Sequence, residues 1–449
     1  VGNRKLQTFG GNLIMRISII GTGKLGSSMA AVYATAGHQV VCVDQNKELI
    51  EKFNKGECPI VETDLEKEIA IGRKNMVFTS DYLKIKDTEI SFVIVPTPSK
   101  KDGAFTNEYV LSAIKNICEV VRDNKSHLIV IVSTVMPGSC TDVFIPEIEK
   151  IVGKKINDNI FLCYNPEFIA LGEVIKGMRY PDTLLIGESC KQAGDMLEWF
   201  HRKTLNPIPP IHRMSLWNAE LSKISLNCYI TMKISYANMI AELCEKIPTG
   251  NAYDVLASVG EDKRVGKKYL NPGLGYSGPC FPRDVKAFLN VTGKFNSISM
   301  LASATDCIND RHNDRYAEKA KRILGSGKHK VAILGVTYKP NTPNIEQSAA
   351  LSIIKELSLS PDISISLYDP MANYQGIAKQ VKTIEEALNG ADLCIIATPW
   401  LEFHNIPKDK FTSLMAKPNI LDCWNICDII EDEEIKVNKL GVSDIGFSK

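Results

Sequence analysis

Short runs of β-branched and apolar residues recur along the chain, most of them closed by Gly, Pro or hydroxyl residues. Met15–Ile20 (MRISII) is the first, and it reads as a buried strand. The stretch Ser27–Ala36, rich in Ala and Met, predicts an amphipathic helix. Gly37-His38 breaks it before a second strand at Gln39–Val43. Further strands are expected at Ile90–Val95, Leu128–Val132 and Ile160–Cys163, and later at Lys330–Leu334, Ile363–Leu367 and Leu393–Ala397. Between Leu216 and about Lys246 few residues break a helix, which predicts one long helix there. Strand and helix alternate in both halves, the pattern of parallel sheets covered by helices.

The first strand runs directly into Gly21-Thr22-Gly23-Lys24-Leu25-Gly26, and the helix follows. In this order each glycine has a distinct role. Gly21 permits the tight turn, Gly23 lets the backbone approach a pyrophosphate, and Gly26 allows close helix–strand packing. The pyrophosphate would sit on the helix N-terminus. Asp44 closes the second strand, where a carboxylate accepts a ribose 2′-OH and repels a 2′-phosphate, so the expected cofactor is NAD rather than NADP. In such sheets the C-terminal strand ends face the ligand, which makes Thr97, Ser133 and Thr134 candidates; turn and cap chemistry is the alternative for each. The expected fold is α/β, with two Rossmann-like doubly wound domains joined by a long central helix.

Lys223 and Asn227 stand four apart on the predicted long helix and share one face, among Ile224, Leu226, Ile230 and Met232. Downstream, Gly273-Leu274-Gly275-Tyr276-Ser277-Gly278-Pro279-Cys280 is a glycine-rich loop delivering a cysteine, with helix signals from Val285. A thiol near a helix N-terminus favours its thiolate, and Asp284, four residues on, could face it. An inert buried thiol is the alternative for any one cysteine among thirteen.

Composition narrows the partners. Of 449 residues, 53 are Lys or Arg and 52 are Asp or Glu, a balance that argues against a general nucleic-acid binder. Thirteen scattered cysteines do not form a disulfide framework, and no zinc spacing surrounds Cys423 and Cys427, so reduced thiols, a cytoplasmic protein and no metal are expected. No apolar run is long enough to span a bilayer, and no membrane partner is expected. Residues 1–14 read as a leader before Met15.

The ordered set of motifs resembles the UDP-glucose/GDP-mannose dehydrogenase family. It comprises GTGKLG at 21–26, VPTPS at 95–99, STVMPG at 133–138, NPEF at 165–168, and Glu220 with Lys223 and Asn227. It continues with GEDKRVG at 260–266, GLGYSGPCFPRD at 273–284 and LGVTYKPNTPNI at 334–345. The resemblance implies oxidation of a sugar nucleotide at C6 to a carboxylate, using two NAD and one water. UDP-glucose is the expected substrate, ahead of a UDP-N-acetylhexosamine or GDP-mannose; an impaired binding paralogue is the remaining reading. It implies Cys280 as nucleophile, Lys223 and Asn227 as oxyanion partners, Asp284 and Thr134 as water and proton handlers, and Glu167 in thioester hydrolysis. Phe168, Arg264, Tyr269, Gly275, Gly278, Tyr338 and Lys339 match positions that contact the sugar nucleotide, Arg264 across a homodimer built on the long helix. The implied domains are a NAD-binding one over 15–212, a central helical one over 213–310 and a UDP-sugar-binding one over 311–449. Three positions depart from the family pattern: Leu171 stands where an acid is usual, Glu346 where an Arg is usual, and Leu49 where a basic residue is frequent.

Overall fold

A computed structural model describes residues 14–443, so the expected leader lies outside the described residues except for Ile14. Packing divides the chain into two compact units, 1–225 and 226–449. In the first, eight strands form one sheet: β1 (Arg16–Ile20), β2 (Gln39–Val43), β3 (Met76–Thr79), β4 (Ile90–Val93), β5 (His127–Ile131), β6 (Ile160–Tyr164), β7 (Leu184–Glu188) and β8 (Ile211–Ser215). Their order is β3-β2-β1-β4-β5-β6-β7-β8, parallel except where β7 runs against β6. The first six follow the dinucleotide-binding order, whose direction reverses between β1 and β4.

Helices cover both faces, which is why the inner strands read as continuous apolar runs and not as alternating ones. All five residues of β5 and of β6 are buried. One core contains Met29, Tyr33, Phe92 and Phe200; the other contains Ile114, Ile117, Ile129 and Phe144. A chain of hydrogen bonds links polar side chains of three neighbouring strands inside the sheet. Ser18 Oγ lies 2.7 Å from Ser91 Oγ, Ser91 Oγ lies 2.8 Å from His127 Nε2, and His127 Nδ1 lies 2.8 Å from the Thr88 carbonyl. Burial pushes His127 down to about 4, so the ring is neutral and can both donate and accept.

Helix α1 (Lys24–Thr35) begins three residues earlier than its apolar periodicity suggested, because the glycine turn itself supplies the first helical residues. A Cβ on Gly26 would lie 1.8 Å from the Gly21 carbonyl oxygen, so strand end and helix meet with no room for a side chain. Strand β4 stops at Val93, short of the expected Val95, whose N–H is taken by the Ser133 hydroxyl at 2.9 Å.

The second unit repeats the scheme with β9 (His329–Leu334), β10 (Ile363–Tyr368), β11 (Lys379–Gln380), β12 (Leu393–Ile396), β13 (Asn419–Asp422) and β14 (Lys436–Lys439). The order β11-β10-β9-β12-β13-β14 is parallel throughout and has the same reversal point. Three helices carry or support the candidate site residues: α2 (Leu216–Lys246), with the predicted bounds, α3 (Phe281–Lys294) and α4 (Met300–Leu324). Among the described residues no helix is long and apolar enough to cross a membrane.

Candidate active site

In the first unit the nucleotide turn sits at the β1/β4 reversal. Gly21 takes φ +97°, donates its N–H to the Val43 carbonyl at 2.8 Å, and has Ile94 O 2.4 Å from where a Cβ would stand. Gly23 is exposed, with no atom within 4 Å of a Cβ position, so the backbone there is open to approach. It caps α1 with no side-chain hydrogen bond, and no acid occupies the first turn. The leading N–H groups are therefore available to an anion. Lys24 and Leu25 follow, both half-buried, and Leu25 packs on the core.

Asp44 Oδ2 accepts from the Thr22 N–H at 2.7 Å and the Thr22 hydroxyl at 3.0 Å, and Oδ1 accepts from the Asn46 N–H at 2.9 Å. A carboxylate offers about four acceptor sites, so one remains, on a half-exposed side chain. These features fit a dinucleotide: pyrophosphate over Gly23 and the α1 N-terminus, ribose diol at Asp44. The other strand ends are tied together. Ser133 donates its hydroxyl to Val95 O at 2.7 Å, and Thr97 donates to Thr134 O at 2.7 Å. Those two hydroxyl protons are thus committed to backbone, and the half-buried Thr134 is held by its carbonyl with its side chain uncommitted to that bond.

Lys223 is buried on α2. Its Nζ donates to the Glu167 carbonyl at 2.7 Å and lies 4.7 Å from the centre of the Phe168 ring. Desolvation pushes the Glu167 carboxyl up to about 7, with the Lys223 charge pulling the other way, so this group is poised to exchange a proton near neutrality. Leu171 packs against the core in place of the acid the family pattern suggested. A carboxylate reaches the same turn from elsewhere: Glu62 accepts from the N–H groups of Gly172 at 2.9 Å and Val174 at 3.0 Å. Glu220, fully buried, accepts from Gly138 N at 2.6 Å and Cys140 N at 2.7 Å, anchoring the turn that carries Thr134 to α2. Gly138, at φ +95°, is pressed so close to Trp217 that a Cβ would fall 2.5 Å from the indole.

In the second unit Cys280 is exposed and is the N-cap of α3, which begins at Phe281 and not at Val285. Asp284 sits in the first turn, almost fully buried, and its Oδ2 accepts from Asn227 Nδ2 at 2.6 Å. Arg283 Nε stands 3.5 Å from the other oxygen. Asn227 thus uses one amide proton to hold Asp284 and keeps a second; it lies one turn beyond Lys223 on α2. The cysteine loop is shaped by its glycines. Gly278, at φ +83°, has the Tyr338 ring 2.5 Å from a Cβ position, and Gly275 has Asn309 Oδ1 at 2.5 Å. Gly278 and Tyr338 are thereby brought together, and Tyr338 and Lys339 follow β9 at the second sheet's reversal point. Tyr269 lies edge-on to Phe281 with centroids 6.4 Å apart. Arg264 projects outward and pairs with Asp262, Nη2 to Oδ2 at 2.6 Å. Glu346 is exposed, and Leu49 is partly buried against the first unit's core.

The second sheet copies the closure of the first, Gly335 N to Tyr368 O at 2.8 Å. Its acid does not copy Asp44. Asp369 is buried, with Oδ2 meeting Val336 N at 2.8 Å, Thr337 N at 3.1 Å and Trp400 Nε1 at 3.3 Å. Its Oδ1 meets Met371 N at 2.9 Å and Ala372 N at 2.8 Å. A carboxylate so filled has no site left for a ribose diol, a distinction that strand-ending Asp residues do not reveal in sequence. All thirteen cysteines lie within the described residues and none is in a disulfide, and among the described residues no three His, Cys, Asp or Glu side chains are grouped to hold a metal.

Three models of one family match in chain order. Its NAD binding domain covers residues 15–205, its central domain 217–311 and its UDP binding domain 332–429. The chain belongs to the UDP-glucose/GDP-mannose dehydrogenase family. It is 34% identical over 439 residues to a UDP-glucose 6-dehydrogenase of Rickettsia bellii, covering 94% of this chain and 98% of that one. It is 32% identical over 413 residues to the UDP-glucose 6-dehydrogenase AglM of Haloferax volcanii, covering 90% and 95%. Among solved structures, a UDP-glucose dehydrogenase from Pyrobaculum islandicum superimposes with a TM-score of 0.84 at 26% identity, covering 96% of this chain and all of that one. The family member described here is an NAD-dependent dehydrogenase with a separate UDP-binding domain.

Two outcomes are expected from this geometry. Replacing Asp44 with Ala removes the remaining acceptor, and a hydrogen bond to a charged group is worth about 1.5–3 kcal/mol. KM for NAD should rise roughly ten- to a hundredfold, with the preference over NADP narrowed; equal use of both cofactors by the unmodified enzyme would contradict the role of Asp44. If Glu167 serves as a base, its ionised form is required, so turnover should fall as pH drops through about 7. Glu167→Gln should slow acid formation and flatten that limb of the kcat–pH profile; an unchanged limb would assign the titration to another group.

Proposed function

We propose that the protein oxidises UDP-glucose at C6 to UDP-glucuronate in two oxidations, with Cys280 as the covalent nucleophile. The observation that carries this is an exposed cysteine capping the N-terminus of α3 behind a glycine loop, in a chain of this family. An aldehyde has no good route to a second hydride loss until it becomes a tetrahedral adduct. Sulfur attack on the C6 aldehyde gives a thiohemiacetal, whose oxidation leaves a thioester that water hydrolyses. When bound, NAD accepts the hydride in each oxidation. Lys223, a buried ammonium that donates to Glu167 O, and Asn227, with its second amide proton, are the groups we assign to the developing oxyanion. Asp284 is held in place to receive and return protons, and Thr134 to position water. Phe168, Arg264, Tyr269, Gly275, Gly278, Tyr338 and Lys339 are assigned to the sugar nucleotide.

The same reading includes a homodimer. Beyond the family resemblance it is supported by α2, where Tyr229, Tyr236 and Leu243 recur every seven residues with Met239 beside them, all exposed. An apolar stripe of this regularity is one that a second copy of the helix would cover.

Incubation with NAD and, in turn, UDP-glucose, UDP-N-acetylglucosamine, UDP-N-acetylmannosamine and GDP-mannose tests the substrate. UDP-glucose should give the highest kcat/KM for NADH production; a clear preference for another sugar nucleotide would reassign it, and no turnover with any would make the chain a binding paralogue. Cys280→Ala should abolish acid formation, whereas Cys280→Ser should accumulate an acyl adduct visible by mass spectrometry, since an ester hydrolyses far more slowly than a thioester. Acid formation at the normal rate by Cys280→Ala would end the covalent mechanism. The double variant Tyr236→Glu, Leu243→Glu should convert the dimer to monomer in sedimentation velocity; an unchanged dimer would move the interface elsewhere.

A further inference from the structure

Four side chains on α4 are bonded to the loop that leads to Cys280. His312 Nε2 donates to the Gly273 carbonyl at 2.8 Å, and burial, which pushes this imidazole down to about 4, keeps it neutral. Asn313 Oδ1 accepts from the Gly275 N–H at 3.0 Å. Asn309 Nδ2 donates to the Tyr276 carbonyl at 3.1 Å, and the Tyr276 hydroxyl donates to Asp306 Oδ1 at 2.8 Å. Positions 306, 309 and 313 share a helix face, with 312 beside them. Asn309, His312 and Asn313 are each more than nine-tenths buried.

Burying amides and an imidazole costs free energy that apolar side chains of similar volume would avoid. What the polar side chains supply is register. Each bond engages the backbone of the loop, and each has a fixed sense: the atom facing Gly275 N–H must be an acceptor, and the atom facing Tyr276 C=O must be a donor. Gly275 lies between the two amides, with Asn309 Oδ1 at 2.5 Å and Asn313 Oδ1 at 2.9 Å from a Cβ position, so the contact is as close as backbone permits. Only Ser277, Gly278 and Pro279 separate this splinted backbone from Cys280. Gly278 is itself wedged against Tyr338, and the Cys280 carbonyl is bonded to Asp284 N–H at 2.9 Å. A segment pinned at both ends leaves the sulfur little freedom.

We propose that Asn309 and Asn313 are positioning residues that set where the Cys280 sulfur stands, through two backbone hydrogen bonds of opposite sense. This rests on the reading of Cys280 as nucleophile. A displacement of about 1 Å at a reacting atom can cost on the order of a hundredfold in rate.

The test uses Ala and Asp at each position, in the full-length enzyme with NAD and the sugar nucleotide it turns over. Asp preserves the shape of Asn and replaces the amide nitrogen by an oxygen. Asn313→Asp keeps the acceptor toward Gly275 N–H, whereas Asn309→Asp sets an oxygen against the Tyr276 carbonyl. Both alanine variants should lose roughly ten- to a hundredfold in kcat, with KM for NAD unchanged because the nucleotide turn belongs to the other unit. Asp should recover most of the loss at 313 and none at 309. The burial of the two positions is alike, so a steric or solvation role would make the two Asp variants behave alike, and that result overturns the proposal. Unchanged kcat in both alanine variants overturns it as well. If Asn309→Asp does not fold, the alanine pair and the recovery at 313 decide. Cys280→Ala, run alongside, separates the two failures: turnover there removes the nucleophile, whereas an inactive Cys280→Ala beside fully active Asn variants removes only the splint.

Discussion

A charged group taken out of water must be met by partners, and the central helix carries two such groups within its first eight residues. Glu220 and Lys223 are both buried. Each unmet bond would cost roughly 1–3 kcal/mol, more for a charge. Glu220 is met by two backbone N–H groups of the turn after β5, and Lys223 by the carbonyl of Glu167 in the segment after β6. The helix therefore cannot be placed in the first unit without also placing the two chain segments that carry Thr134, Glu167 and Phe168. Stability and the geometry of the site come from the same bonds.

In the second unit the same logic runs through Asp284. Its carboxylate is buried and is held by Asn227, so the α3 N-terminus and its exposed cysteine are referenced to α2. The glycine loop upstream is referenced to α4 through backbone bonds. Cys280 is exposed, so its side chain is not fixed by its own burial; the backbone on either side of it is held by buried neighbours.

The two sheets show how one topology serves two purposes. Both close their first turn with a glycine N–H to the end of the neighbouring strand, and both end that strand in Asp. Asp44 retains an acceptor at a half-exposed surface beneath an open Gly23. Asp369 is filled by backbone N–H groups and the Trp400 indole, and Gly335 is overlain by Thr398. The difference lies in who occupies the lone pairs, and with it goes the ability to hold a ribose diol.

Much of this was legible in the chain. The apolar runs, the spacing of GTGKLG and the distance to Asp44 determine strand, turn, helix and acid locally, because covalent geometry and backbone sterics act over a few residues. The long helix was read to its ends, since nothing within Leu216–Lys246 breaks it. The resemblance of the ordered motifs identified the family for the same reason: sequence-local chemistry survives as sequence. What the chain could not show is which lone pair meets which proton across dozens of residues. The recruitment of Glu62 to the turn at Gly172 and the filling of Asp369 from Val336 and Trp400 are of this kind. So is the bonding of Asn309 and Asn313 to the cysteine loop. Hydrogen bonds between distant segments depend on tertiary packing that brings donor and acceptor within about 3 Å, and only the folded structure decides those distances.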